Sequence, residues 1–130
     1  KGWIVTGYPW YALETPEHQV FRKAYMDKFD DYPRLGSVVG YATFKLIAKA
    51  VEKAGGTDPE KLAAALRGLE LETPLGPIEM RAADQQSTMG TFVGTLTVGD
   101  GMPRMVDWHY HDGKEYLPSE EEAKKLRTGG

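Results

Sequence analysis

Cysteine is absent from the 130-residue chain, which excludes disulfides, thiolate nucleophiles and cysteine-based zinc sites. Its absence is compatible with an oxidising compartment without requiring one. No apolar run approaches the ~20 residues needed to span a bilayer. A basic excess is also lacking: 16 Lys and Arg stand against 19 Asp and Glu, for a net charge of -3. Nucleic-acid binding normally needs a basic stripe, so that class of partner is set aside. There is no initiator Met and no basic leader before the opening Lys1-Gly2-Trp3-Ile4-Val5. A natural N-terminus is usually a loose tail, whereas this chain starts almost directly in a strand. Lys1 therefore reads as a cut point, with a mature end left by leader removal as the alternative.

What is present is ordinary globular material, with 41% hydrophobic and 27% charged residues. Residues 2–8 (GWIVTGY) predict a short buried strand running into a loop. Thr15-Pro16 starts a helix whose inward positions are Val20, Phe21, Ala24, Tyr25 and Phe29, and Asp30-Asp31-Tyr32-Pro33 stops it. A second helix is expected over about Ser37–Ala54, with Ser37 as its N-cap and Gly55-Gly56 as its stop. A third begins at Thr57-Asp58-Pro59-Glu60 and carries Leu62, Leu66 and Leu69 inward.

The pattern then switches to β. Residues 73–80 hold two prolines and predict a short or edge strand. Residues 90–98 and 104–110 flank a Gly99-Asp100-Gly101 turn, with Phe92, Leu96 and Val98 on one face of the first strand. Val106, Trp108 and Tyr110 are expected to share a face of the second. A tail helix follows, in which Ser119 and Glu122 have capping-box spacing. One strand, three helices and a hairpin give too few strands for a sheet covered on both faces, so the chain looks truncated.

Few residues carry chemistry. His109 and His111 are two apart on a strand, a spacing that can present two imidazoles to a metal. Asp107, Asp112 and Glu115 lie nearby, but spacing fixes no third ligand, and a wet strand end is the plainer reading. Glu70, Glu72 and Glu79 suggest paired carboxylates, yet charges around a loop and an edge strand are more often solvated, and nothing in the sequence locates a pocket beside them. Ser37, Ser87 and Ser119 lack a nucleophile context. No catalytic residue, metal or cofactor is expected.

The aromatic run Tyr8, Pro9, Trp10, Tyr11 lies where the first strand leaves its sheet. In open α/β folds, ligands gather at the carboxyl ends of strands. Tyr and Trp combine an apolar body with one hydrogen-bonding tip, which suits a flat or aliphatic solute. Packing of the loop onto its own domain is the competing reading.

The stretch GYATFKLIAKAVEKAGGTDPEKLAAALRGLELETPLGPIEM and, upstream of it, GWIVTGYPW resemble the C-terminal third of periplasmic solute-binding proteins of ABC importers, of the branched-chain amino acid type. The resemblance covers about residues 2–108. It implies an α/β, type I periplasmic-binding-protein-like bilobal fold, of which this chain is the C-terminal part: strand, three helices, β-hairpin and tail helix. On that mapping residues 1–8 end one lobe and enter the hinge, 9–88 lie mainly in the other lobe, and 89–130 cross back. It implies a small-molecule solute and a membrane permease as partners, and a periplasmic location. Tyr8, Trp10 and Tyr11 become candidate ligand-binding residues. The resemblance adds Ser37, where well-known members often carry an aromatic, and a small residue there leaves room for a bulkier, aromatic acid. The family's head-group-binding residues lie upstream. Apolar faces left by a truncation would be covered by the N-terminal part of the same protein, or by self-association or a domain swap. The alternative is a structural module that works only through its own oligomer.

Overall fold

The computed structural model describes residues 2–126, in the order β1 (Ile4–Gly7), α1 (Pro16–Phe29), α2 (Leu35–Ala54), α3 (Pro59–Leu66), β2 (Leu69–Thr73), β3 (Gly76–Met80), β4 (Thr91–Gly99), β5 (Met102–His111), a 3-10 turn at Gly113–Glu115 and α4 (Glu120–Leu126). Lys1, the expected cut point, lies outside the described residues. No described helix is long and apolar enough to cross a membrane.

Local chemistry sets most boundaries. Pro16 and Pro59 occupy first turns, where their missing N–H costs nothing. The Asp58 carboxylate caps α3 by accepting from the Lys61 amide at 3.0 Å. Gly55, in left-handed conformation at φ 69°, ends α2. The Ser119–Glu122 box forms in both directions: the Ser119 amide donates to the Glu122 carboxylate at 2.9 Å, and the Glu122 amide donates to Ser119 Oγ at 3.2 Å. Arg34, not Ser37, is the N-cap of α2; Ser37 sits one turn in and its Oγ accepts from the Arg34 amide at 3.2 Å.

The strands form an antiparallel sheet in the order β1-β4-β5 and a separate β2-β3 hairpin. Residues 73–80 are not one strand, because Pro74-Leu75 make a tight turn between Thr73 and Gly76. Leu69 belongs to β2 and not to α3. Across the larger hairpin, Gly99 pairs with Met102 around a two-residue Asp100-Gly101 loop, both at positive φ (51° and 77°). Lower in that hairpin Thr95 pairs with Val106 but Val93 with His109, so β5 holds one extra residue. Asp107, at φ 50°, absorbs it. The bulge separates Val106 from Trp108 and Tyr110: Val106 is exposed, and Met105 takes the inward position.

The core is Leu13, Phe21, Val38, Leu75, Phe92 and Met105, flanked by half-buried Tyr8, Tyr25, Trp108 and Tyr110. It joins α1 and α2 to the hairpin turn and to β4-β5. Val20 and Phe29, expected inward on α1, are exposed, and His18 is the residue buried with Phe21. β1 is not a buried strand either: Ile4 is 80% exposed and Trp3 74%.

Candidate functional site

Everything of chemical interest near the end of β1 hangs on the connection from Tyr8 to Thr15. Trp10 N–H donates to the Tyr8 carbonyl at 2.8 Å and Ala12 N–H to the Pro9 carbonyl at 2.9 Å, so the segment is a coiled turn with buried Pro9 inside it. The aromatic side chains leave this turn in different directions.

Tyr8 points inward. Its hydroxyl lies 2.6 Å from Nε2 of His18, whose Nδ1 lies 3.0 Å from the Leu13 carbonyl oxygen. Burial holds the His18 imidazole below the usual histidine range, against the bond to Leu13 and with help from the Arg22 charge. Burial also pushes the Tyr8 hydroxyl well up, only partly offset by Arg22. Tyr11 points to the sheet. It donates to the Met105 carbonyl at 2.9 Å and accepts from the Met105 amide at 2.6 Å, tying the connection to β5 beside the bulge.

Trp10 faces the α1–α2 junction, where its ring stacks on Tyr32 at 5.0 Å and 8°. The Arg34 guanidinium lies 4.6 Å from the Tyr32 ring centroid and pairs with Asp31 at 2.7 Å. That hydrogen bond, together with one from the Tyr32 amide, holds the Asp31 carboxyl below its usual range. Ser37 is one turn along α2, bonded to the Arg34 amide and donating to the Tyr25 hydroxyl at 3.2 Å.

The fold thus links Trp10 and Ser37 through Tyr32 and Arg34, and turns Tyr8 and Tyr11 to other tasks. Tyr32 and Arg34 escaped the sequence reading because Asp31-Tyr32-Pro33 reads first as a helix stop. His18 escaped because its partners lie 5 and 10 residues back, outside any helical period.

On the other side of the connection, an open cleft of about 530 Å³ is lined by Leu13, Thr15, Leu75, Phe92, Trp108 and Tyr110, among others. A second, of about 350 Å³, lies over the β2-β3 hairpin between Lys49, Lys114 and the carboxylates Glu70, Glu72, Glu79 and Asp112. None of Tyr8, Trp10, Tyr11 and Ser37 lines either. His109 is exposed, and Nδ1 of His111 is 2.7 Å from the Tyr116 hydroxyl. No group of three or more His, Asp or Glu among the described residues could hold a metal ion. Trp10, Tyr32, Arg34 and Ser37 thus lie together at the start of α2, with the Arg34 guanidinium paired to Asp31.

A family model described as periplasmic binding protein matches residues 1–101. Over 63 residues the chain is 38% identical to the leucine-, isoleucine-, valine-, threonine- and alanine-binding protein of Pseudomonas aeruginosa, a match covering 48% of this chain and 17% of that protein. A protein of the same description from Brucella ovis, in a closed conformation, superposes with TM-score 0.73 at 19% identity, covering 91% of this chain and 33% of its own. An ABC-transporter solute-binding protein of Rhodopseudomonas palustris, in complex with 3,4-dihydroxybenzoic acid, superposes with TM-score 0.71 at 24% identity, covering 86% and 31%. The chain therefore has the fold of part of a type I periplasmic binding protein. It spans about a third of the length of these two solved relatives.

Proposed function

The chain belongs to the periplasmic binding protein family, and on that premise we propose that it forms part of the solute-binding component of an ABC importer. Its task is capture, not catalysis. A solute is held between two lobes that close about a hinge, and the closed form is presented to a membrane permease in the periplasm. Residues 1–8 end one lobe, residues 9–88 lie mainly in the other, and residues 89–130 return. The pairing of β1 with β4 supports this division, since it brings the outgoing and returning segments side by side.

The observation that carries the choice of solute is the Trp10–Tyr32 stack beside Arg34, at the carboxyl end of β1 and the first turn of α2. Flat rings with a guanidinium suit a planar carboxylic acid. The small Ser37 leaves room for it. Among relatives, two are complexed with hydroxybenzoic acids and others are described as binding leucine, isoleucine, valine, threonine and alanine. The aromatic acid is the solute class favoured for this chain. A thermal-shift panel on the longer protein tests it, because a ligand of the native state raises the melting temperature. Hydroxybenzoates should raise it more than leucine, isoleucine or valine; a shift with leucine alone overturns the preference.

Exposed Trp3, Ile4, Val20, Phe44 and Ile47 support a further partner, either the remainder of such a protein or a second copy of the chain. Light scattering after size exclusion distinguishes these from a stable, soluble monomer, the result that would count against both.

A further inference from the structure

His18 is fully buried, yet neither capture of a solute nor the core requires an imidazole there. Its two ring nitrogens touch the two ends of one short segment: Nε2 meets the Tyr8 hydroxyl at 2.6 Å and Nδ1 meets the Leu13 carbonyl at 3.0 Å. A carbonyl oxygen can only accept, so Nδ1 carries a proton. In the neutral ring Nε2 is then a lone pair, and the Tyr8 hydroxyl donates to it. The geometry selects one tautomer, and that tautomer ties residue 8 to residue 13 across the turn that carries Trp10 and Tyr11.

We infer that His18 is a positioning residue of the solute cleft: held as the Nδ1–H tautomer between Tyr8 and Leu13, it fixes the stance of the connection that presents Trp10. The inference rests on the proposed reading of that connection as part of the cleft.

The surroundings favour the neutral ring. Arg22, one turn further along α1, is the charged group acting on it, and its sign opposes a second cation. The Tyr8 hydroxyl is the other ionisable group in contact, and burial keeps it protonated. Phe21 packs at 6.5 Å between ring centroids. The sequence neighbours Glu14 and Glu17 are exposed, and no carboxylate among the described residues pairs with the ring. Protonating Nε2 would force Tyr8 to become the acceptor and leave a cation buried beside Arg22. Because the folded ring titrates below the ordinary value of about 6.5, the stability it contributes is complete above that pH. It is lost as pH falls from there toward the lower folded value.

The test uses the longer protein with a hydroxybenzoate or leucine as probe, and two variants. Tyr8→Phe removes the donor to Nε2, and His18→Asn keeps at most the donor to Leu13. Each should weaken probe binding about five- to tenfold, the size of one net hydrogen bond. Wild-type affinity should hold above about pH 6.5 and fall as the pH drops below it, and His18→Asn should flatten that slope. Lower melting temperatures with unchanged affinity and an unchanged slope would reduce His18 to a core residue and overturn the inference. Long-range proton–nitrogen NMR of the His18 ring decides the clamp separately. A fixed Nδ1–H, bare-Nε2 tautomer at neutral pH upholds it even if neither probe binds, and a ring exchanging between tautomers sinks it.

Discussion

Along β2 the side chains alternate as a half-buried strand should: Leu69, Leu71 and Thr73 turn inward while Glu70 and Glu72 face water, and Ile78 joins the inner row from β3. The β1-β4-β5 sheet is built from the same kinds of residue and shows no such economy. Ile4 and Val98 are 80% and 68% exposed, and Val106 is open beside the bulge. The hairpin has what it needs within this chain, because α1 and α2 lie against it. The sheet has β1 at one edge, paired on a single side, and apolar groups facing outward. Where the chain itself covers a surface, its pattern is regular; where the pattern fails, apolar side chains are left facing outward.

The largest expected effect tests the finished half. Ile78 and Leu71 are 5% and 7% exposed. Truncating either to Ala should cost about 2–5 kcal/mol in chemical denaturation, from lost transfer energy and the cavity left behind. A cost below about 1 kcal/mol would mean that the hairpin is no better packed than the sheet, and the contrast would fail.

Next comes a position in the sheet that has no slack. Gly94 faces the bulge, and a Cβ there would lie 2.6 Å from Met105 Cγ and 2.8 Å from Trp108 Cβ. Both neighbours are fixed, Met105 by the paired bonds from Tyr11 to its backbone and Trp108 by an edge-on contact with Phe92 at 5.3 Å. Gly94→Ala should therefore cost about 1–3 kcal/mol by overpacking. The loss should be read in the Trp108 near-ultraviolet signal as well as in the midpoint. Smaller again is Ser119→Ala, which removes both hydroxyl bonds of the α4 capping box. It should cost about 1 kcal/mol and increase amide exchange in the following turn.

The features legible in the sequence are those decided within a few residues. Asp58-Pro59, Ser119 with Glu122, and Asp100-Gly101 each carry their own geometry, and each forms where expected. Leu69 reads as helical in the sequence for a physical reason: with Leu62 and Leu66 it continues a helical stripe, whereas in the structure it begins a strand with Leu71. Gly68, at φ 65°, is the break that decides it. The Asp107 bulge was not legible, because a non-glycine at positive φ is imposed by pairing elsewhere in the sheet. One extra residue was enough to exchange Val106 for Met105 on the inner face. Of the candidate site, the aromatic run was visible as a run. Its division into an inward Tyr8, a stacked Trp10 and a strand-binding Tyr11 depends on His18, Tyr32 and Met105, residues that no local spacing connects to it.

The smallest expected effect bears most directly on the open sheet. Ile4→Ala in the 130-residue chain removes a side chain that is already 80% exposed, so stability should move by no more than about 0.5 kcal/mol. In a protein extended to the length of its relatives, the same substitution should cost about 2–5 kcal/mol if the added part covers β1. The difference between the two measurements isolates the covering partner from every contact inside this chain. Concentration supplies the control. A cost in the chain alone that grows with protein concentration identifies a second copy lying on β1. A cost independent of concentration would mean that Ile4 is supported from within the chain, and the contrast between hairpin and sheet would then have to be drawn at Val98 instead.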